Sequence, residues 1–351
     1  MIGGAGSVFW LLVSGVFSVV IKYSENVITA KSSREKEGIA PVIASSFGSV
    51  GKPLALLYSF LCLLLSLVMG SAIQTKAAFE LTNTAFNISP AFFLLFFSAL
   101  LFLSIKEGGE KVEKITSYLI PLTTTIYILL CFSVIFLNSF KLFAVILSII
   151  KSAFSVTSGI GGGISFLFSQ ALREGYLRGI LSNEAGVGTS AFAHSRSIDR
   201  TPAVSGLYGM SEVFFDTFLL CPLSAFMILL SVDDPSSFDT PMSLVSSAVT
   251  ASLGEWAVYP LIFCIFSFAF ATVICWYYYG ERCVIFLSEK SLSRLFLPAY
   301  LLFTLVGVIA PDRLLLNFTD LILFFMSLIV LSLLLIKRDL ILGLTEDEKL
   351  I

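Results

Sequence analysis

The chain has 351 residues, of which 57% are hydrophobic and 13% are charged, and its mean hydropathy is +0.94. Soluble domains carry about 25% charged residues, so this composition excludes a soluble globular protein and a disordered chain. The net charge of −2 also excludes the basic surface of a nucleic-acid binder, which leaves an integral membrane protein with several spans.

The apolar segments are long enough to cross a membrane as helices. A bilayer core of about 30 Å requires roughly 20 apolar residues in a helix, whereas the strands of a membrane barrel alternate polar and apolar residues. In chain order, the predicted spans are 5–27, 54–79, 90–105, 115–137, a broken stretch 140–181, 205–231, 256–279, 295–310 and 319–336. The prediction is an all-α protein that crosses the bilayer nine times, with residues 1–351 forming a single membrane domain.

The distribution of Lys and Arg predicts the orientation of these spans. The basic residues cluster on one side, the predicted cytoplasmic side, and Lys22 is counted there, in a loop after the first span. Four of the 22 basic residues fall on the other side, namely Lys76, Lys141, Lys151 and Arg313. The outside loop 232–255 holds acidic residues and no basic one. We therefore expect an external N-terminus and a cytoplasmic C-terminus in a bacterial inner membrane.

Two glycine-rich interruptions mark the region 140–190 as the most informative part of the chain. They are GIGGG at 159–163 and SNEAGVG at 182–188. Each Gly costs a helix about 1 kcal/mol relative to Ala, so both segments predict unwound backbone. Unwound backbone at membrane depth is either buried or lines a cavity, where its free N–H and C=O groups can bind substrate or sodium. Close packing of helices is the alternative explanation for the glycines.

A few isolated polar side chains in apolar spans are candidates for binding. The Gln74 amide suits either end of an amino acid, and a hydrogen bond between helices is the alternative. Thr272 lies one turn before Trp276; its hydroxyl suits sodium, because hard cations prefer oxygen ligands, and the indole can wall a small pocket. Packing is the alternative for both residues.

For three further polar residues, the spacing and the neighbouring sequence favour a structural role over a binding role. Glu212 and Asp216 are four residues apart and share a helix face, which favours a paired network over a proton or cation site. The sole histidine, His194, lies in a basic stretch without a neighbouring His or Cys. This setting favours a solvated loop residue over a metal ligand.

Several motifs resemble the alanine or glycine:cation symporter family, also called the sodium:alanine symporters. RGILSNEAGVG at 178–188 resembles the family signature RGxxSNEAGxG. GGAGSVFW at 3–10 resembles its GGPGAxFWMW element, and WYYYGE at 276–281 resembles its GWSYYGE element. The matches are collinear over nearly the whole chain, so the resemblance is specific.

The resemblance implies a fold of two inverted five-helix repeats whose first helices are both broken at the bilayer midplane. It implies uptake of alanine or glycine with sodium by alternating access, with sodium as the coupling ion and no cofactor. By similarity, Gln74 contacts substrate, Ser182 and Asn183 form part of the pocket, Trp276 walls it, and Thr272 coordinates sodium.

The sequence also departs from the family pattern. The family's GGPG element follows its first broken helix, yet here that element begins at Gly3, so we expect an N-terminally incomplete fold. Ala271 stands where the family has Ser, which removes one hydroxyl beside Thr272.

Two hypotheses remain: a working symporter, and an inactive or split fragment with a companion encoded upstream. A membrane enzyme or a channel is disfavoured, because clustered catalytic residues and a repeated filter motif are lacking.

Overall fold

The computed structural model describes residues 3–32, 38–106, 109–155, 170–194, 201–288 and 292–346. In these ranges the regular elements are helices, which confirms the predicted all-α class. The α-helices are α1 (Gly6–Ser32), α2 (Ala40–Ser46), α3 (Gly51–Leu65), α4 (Gln74–Phe86), α5 (Pro90–Ile105), α6 (Gly109–Leu137), α7 (Leu142–Ala153), α8 (Gln170–Asn183), α9 (Ser190–His194), α10 (Pro202–Val213), α11 (Cys221–Ser231), α12 (Pro241–Leu253), α13 (Val258–Ser288), α14 (Ser293–Ile309), α15 (Asp312–Ile336) and α16 (Arg338–Glu346).

Six helical stretches are long and apolar enough to cross a bilayer, which confirms a multi-pass membrane protein. They are Gly6–Ala30, Gly48–Phe86, Lys114–Leu137, Pro202–Ser231, Glu255–Ser288 and Asp312–Ile336. The shorter apolar helices α5 and α14 coincide with two further predicted spans. Large apolar side chains point outward, as lipid contact requires; Phe136 is 79% exposed and Leu335 is 76% exposed.

The stretch 232–255, predicted from the sequence as an outside loop, is not wholly irregular. It contains the apolar helix α12, which begins with a capping box between Thr240 and Ser243. Pro241 follows the cap directly, as its fixed φ and missing N–H favour. The same arrangement of a hydroxyl cap followed by Pro starts α5 at Ser89 and α10 at Thr201.

Two π-helical segments lie inside long spans. We name them π1 (Ser66–Ile73), between α3 and α4, and π2 (Phe214–Leu220), between α10 and α11. A π-helical turn widens the helix and shifts the face that the following residues present, and such turns are frequent at functional sites. Gln74 follows π1 directly, and Asp216 and Thr217 lie within π2.

Glycines allow the helices to approach closely at two contacts that position the site. On α8, Gly175 and Gly179 lie against the backbone and Ser14 of α1. On π1, Gly70 lies against the Trp276 side chain of α13. Small residues at such crossings allow the backbone-to-backbone contact on which membrane helices depend. Helix α1 therefore packs on α8, and α13 packs on π1.

Candidate functional site

The second predicted break is present between α8 and α9. Helix α8 ends at Asn183, and the backbone then enters the left-handed region at Glu184 (φ +49°), Gly186 (φ +81°) and Gly188 (φ +77°). Left-handed backbone is rare for a residue with a side chain such as Glu184, and residues in such conformations concentrate at functional sites. We call residues 184–188 the unwound segment. The other predicted break, 159–163, lies outside the described residues.

Hydrogen bonds from three directions fix the unwound segment. The Tyr58 hydroxyl donates to the Val187 carbonyl oxygen at 2.8 Å. The Gly188 N–H donates to Oε1 of Glu25, at 3.1 Å, and the Thr189 hydroxyl donates to the Glu184 carboxylate. Backbone groups released from the helix thus find partners inside the protein, as a membrane protein requires.

The end of α8 is tied to π2 by side-chain hydrogen bonds. Ser182 Oγ donates to Oδ2 of Asp216, at 2.5 Å, and Thr217 Oγ1 donates to Oδ1 of Asn183, at 2.8 Å. The Asn183 amide also donates to the Gly179 carbonyl at 2.8 Å. Asn183 and Thr217 are buried, so their bonds are shielded from competing water.

A cavity of about 220 Å³ lies between the unwound segment, α6 and α13. Its lining residues are Ile120, Glu184, Phe268, Ala271, Thr272, Cys275, Trp276 and Tyr279. The Thr272 hydroxyl donates to the Phe268 carbonyl at 2.8 Å, which leaves the oxygen lone pairs available as acceptors. Trp276 is 2% exposed and forms a rigid aromatic wall. The arrangement combines an apolar wall with a hydroxyl oxygen and a carboxylate.

The cavity brings together two of the five predicted site residues. Thr272 and Trp276 line it, next to Glu184 of the predicted break. Gln74 is half-buried at the start of α4 and is absent from the cavity lining among the described residues. Ser182 and Asn183 are likewise absent from that lining, since they bond to π2. The binding roles of all five residues stay predictions.

Sequence reasoning missed a row of buried polar residues on α1. Lys22 is 4% exposed, and Glu25, Asn26 and Thr29 are fully buried. The prediction that Lys22 lies in a cytoplasmic loop is therefore wrong, because α1 continues to Ser32. The signal was available, since charged residues are costly inside an apolar span and mark functional sites there.

Asn26 links the elements that surround the unwound segment. Its amide oxygen accepts a hydrogen bond from Ser190 Oγ of α9, at 2.7 Å. Its amide nitrogen donates to the Ser205 carbonyl of α10, at 3.3 Å. One side chain of α1 thereby connects the helices on both sides of the 195–200 stretch.

Two expectations about single residues need correction. His194 is 9% exposed at the end of α9, and its Nε2 lies 2.8 Å from Oε1 of Glu212, so it is not a solvated loop residue. Glu212 and Asp216 do not form one paired network. Glu212 binds His194, whereas Asp216 binds Ser182, because π2 begins between them.

Ion pairs link distant helices outside the cavity. Arg178 of α8 pairs with Asp320 of α15 at 3.2 Å and with Glu174 of its own helix at 3.6 Å. Lys76 of α4 lies 2.6 Å from Asp312 of α15, in a smaller cavity of about 150 Å³ next to α12. The Arg178–Asp320 and Lys76–Asp312 pairs each join a helix to α15, so both restrain how the helices can separate.

Comparison with known proteins agrees with these features. The model of the sodium:alanine symporter family matches residues 1–347. An uncharacterized transporter of Haemophilus influenzae is 28% identical over 99% of this chain and 73% of its own length. The sodium/alanine symporter AgcS of Methanococcus maripaludis is 27% identical, over 91% of this chain and 72% of its length. The probable sodium/glutamine symporter GlnT of Bacillus subtilis is 27% identical, over 94% of this chain and 68% of its own length.

The family and these relatives are transporters and not enzymes, and the same holds for this chain. The family match covers nearly all of its residues, including the unwound segment and the cavity on α13. The chain therefore belongs to the sodium:alanine symporter family.

Proposed function

We propose that this chain takes up a small neutral amino acid, alanine or glycine, together with sodium, by alternating access. Membership of the family establishes a sodium-coupled amino acid symporter. The observation that carries the finer proposal is the cavity between the unwound segment and Trp276. In this proposal the molecule is one transport domain in a bacterial inner membrane, with its N-terminus outside.

The size of the cavity favours a small substrate. Its volume of about 220 Å³ is below the range of about 300–1,000 Å³ that is typical of pockets for drug-sized ligands. The walls contributed by Phe268 and Trp276 suit a methyl group or a bare α-carbon. Glutamine is the competing substrate, because one relative is named a probable sodium/glutamine symporter, and its longer polar side chain fits such walls less well.

The polar groups of the cavity suit both the amino acid and the sodium ion. The Glu184 carboxylate lies where it can attract the ammonium group of the amino acid. Thr272 offers an oxygen to sodium, a hard cation that prefers oxygen ligands. In the proposed mechanism Gln74, Ser182 and Asn183 supply further polar contacts when the helices move, since Ser182 and Asn183 already border the unwound segment.

Uptake of labelled alanine into proteoliposomes tests the proposal. We expect uptake to require a sodium gradient and to be inhibited by unlabelled glycine more strongly than by glutamine. Uptake that is unchanged when choline replaces sodium would contradict sodium coupling. Stronger inhibition by glutamine than by glycine would contradict the substrate assignment and leave the family assignment intact.

Two tryptophan variants test the role of the cavity wall. Trp276→Ala should weaken alanine binding by about 1–3 kcal/mol, because the substrate loses an apolar wall. Trp256→Ala is the matched control, since Trp256 is 62% exposed just before α13. An equal KM for alanine in both variants would make Trp276 a packing residue.

A further inference from the structure

A cluster of buried charges lies where α1 meets the unwound segment. Glu25 is fully buried on α1, and Lys22, three residues earlier, lies on the same face of the helix and is also buried. Glu184 belongs to the same unwound segment as Gly188, whose N–H bonds to Glu25, and the Tyr58 hydroxyl of α3 bonds to the neighbouring Val187 carbonyl. Further away, the His194–Glu212 pair joins α9 to α10. Carboxylates outnumber lysines in this cluster, and buried charges are stable only when they are compensated.

The two oxygens of Glu25 are in different situations. Oε1 accepts the Gly188 N–H at 3.1 Å. Oε2 is buried and accepts no hydrogen bond of ordinary geometry from the described residues; the Gly186 N–H, which also stabilises the carboxylate, forms no such bond to it. An ionised carboxylate has several lone-pair sites to satisfy, and leaving one oxygen of a buried anion without a donor is strongly unfavourable. A neutral carboxylic acid carries no net charge and is much easier to bury in that position.

We propose that Glu25 is a proton-binding site, and that its Oε2 carries a proton when the unwound segment is packed against α1. One proton on Oε2 removes the excess negative charge. The cluster then holds Lys22 and one ionised carboxylate, Glu184, in balance. The proton comes from water, and the site is separate from the sodium site proposed at Thr272.

Protonation of Glu25 links pH to the position of the unwound segment. When Glu25 loses its proton, the cluster holds two ionised carboxylates, Glu25 on α1 and Glu184 in the unwound segment, and their repulsion pushes the segment away from α1. The consequence for transport rests on the proposed function: uptake falls at alkaline pH because the segment no longer packs. The protonated fraction of an acid falls about tenfold per pH unit above its pKa, so the loss of uptake should be similarly steep.

Infrared spectroscopy of the purified chain tests proton binding without any need for transport. A protonated carboxylic acid has a carbonyl stretch distinct from that of a carboxylate. We expect Glu25→Gln to lose part of this band at neutral pH, and Glu255→Gln to keep it. Glu255 is a suitable control because it is exposed at the outer end of α13. Equal bands in the two variants would overturn the proposal.

The pH profile of alanine uptake gives the second readout. Gln resembles a protonated Glu and still accepts the Gly188 N–H, so E25Q should keep its uptake at a pH where the wild type has lost most of its own. E25Q with a raised half-saturating sodium concentration and an unchanged pH profile would instead identify a sodium site and overturn the proton site. Absence of uptake in the wild type at every pH would contradict the proposed function and leave the infrared result decisive.

Wild-type protein alone decides the question if E25Q does not accumulate. Alkaline titration should remove the carboxylic-acid band and, over the same pH range, increase hydrogen exchange of the 184–188 amides. A band that disappears without any change in exchange would separate the proton from the unwound segment and overturn the proposal.

Discussion

The two helices that border the unwound segment and the cavity are held in place by different forces. Helix α1 contacts the unwound segment and its neighbours through buried polar groups, with Glu25 and Asn26 bonded to Gly188, Ser190 and Ser205. Helix α13 contacts π1 through close packing, with the Trp276 side chain lying on Gly70. The first contact depends on direction and charge, and the second depends on shape and volume.

This difference indicates which side can move. Hydrogen-bonded groups that leave one partner can take another, such as water or a second side chain, so a polar contact can have two stable arrangements. A tryptophan packed on a glycine has no second partner of equal shape, and a separation leaves a void. We expect α13 and π1 to behave as a fixed frame, and the unwound segment to be the part that can move when its hydrogen bonds exchange.

The largest effect is expected from filling the packed contact. Gly70→Leu places a branched side chain where Trp276 already lies. Such overpacking should lower the free energy of unfolding by about 3 kcal/mol, the upper end of the typical range. Gly343→Leu is the control, because a Cβ at Gly343 meets no atom within 4 Å. Thermal unfolding in detergent measures both. Equal unfolding temperatures would show that α13 and π1 are not a fixed frame.

A pair of buried tyrosines compares the two sides directly. Tyr58 and Tyr300 are both fully buried. The Tyr58 hydroxyl donates to the Val187 carbonyl in the unwound segment, and the Tyr300 hydroxyl donates to the Val273 carbonyl inside α13. Tyr58→Phe should cost about 1–3 kcal/mol, because the Val187 carbonyl is left buried without that donor. Tyr300→Phe should cost less, since a helical carbonyl has its own helix as a partner.

Hydrogen exchange of the 184–188 amides separates these two variants. Tyr58→Phe should accelerate exchange there, and Tyr300→Phe should not. If both variants accelerate exchange equally, the unwound segment is not an independent unit of motion.

The bond between Thr217 and Asn183 gives the next effect in size. Thr217→Val keeps the shape and removes the donor to Asn183, which should cost about 1 kcal/mol. Thr304→Val is the matched control, because Thr304 is equally buried and bonds to Leu301 of its own helix. Free energies of unfolding from denaturant titration test the difference. An equal loss of unfolding free energy in Thr304→Val and Thr217→Val would show that the bond from π2 to Asn183 contributes no more than a bond within one helix.

Most of the fold could be predicted from the sequence, because length and hydropathy determine where a helix spans a bilayer. The runs at 54–79 and 319–336 coincide with helical stretches of the structure. Three elements escaped prediction for physical reasons. The helix α12 is short and lies in an acidic loop, and π1 and π2 differ from α-helix by only one added residue per turn, which hydropathy does not encode.

The candidate site could be predicted only in part. The glycines of SNEAGVG predicted unwound backbone because of their conformational cost, and Thr272 and Trp276 were identified as neighbours because helix geometry places them one turn apart. Glu25 was missed because its neighbours Lys22 and Asn26 made the stretch resemble the end of a span. Charged residues inside the predicted span 5–27 indicated a functional position, but which elements cover them depends on tertiary packing that a single sequence does not give.

The smallest effect is expected from the His194–Glu212 pair. The Glu212 side chain is 47% exposed, so the pair is only partly buried and should contribute no more than about 1 kcal/mol. His194→Gln keeps a donor for Glu212 and should lower stability only slightly, whereas Glu212→Gln removes the charge. A double-mutant cycle on unfolding free energies measures the coupling between the two residues. A coupling as large as the cost of Tyr58→Phe would extend the movable part beyond residues 184–188 to α9 and α10, because the pair would then hold those helices together as firmly as Tyr58 holds the unwound segment.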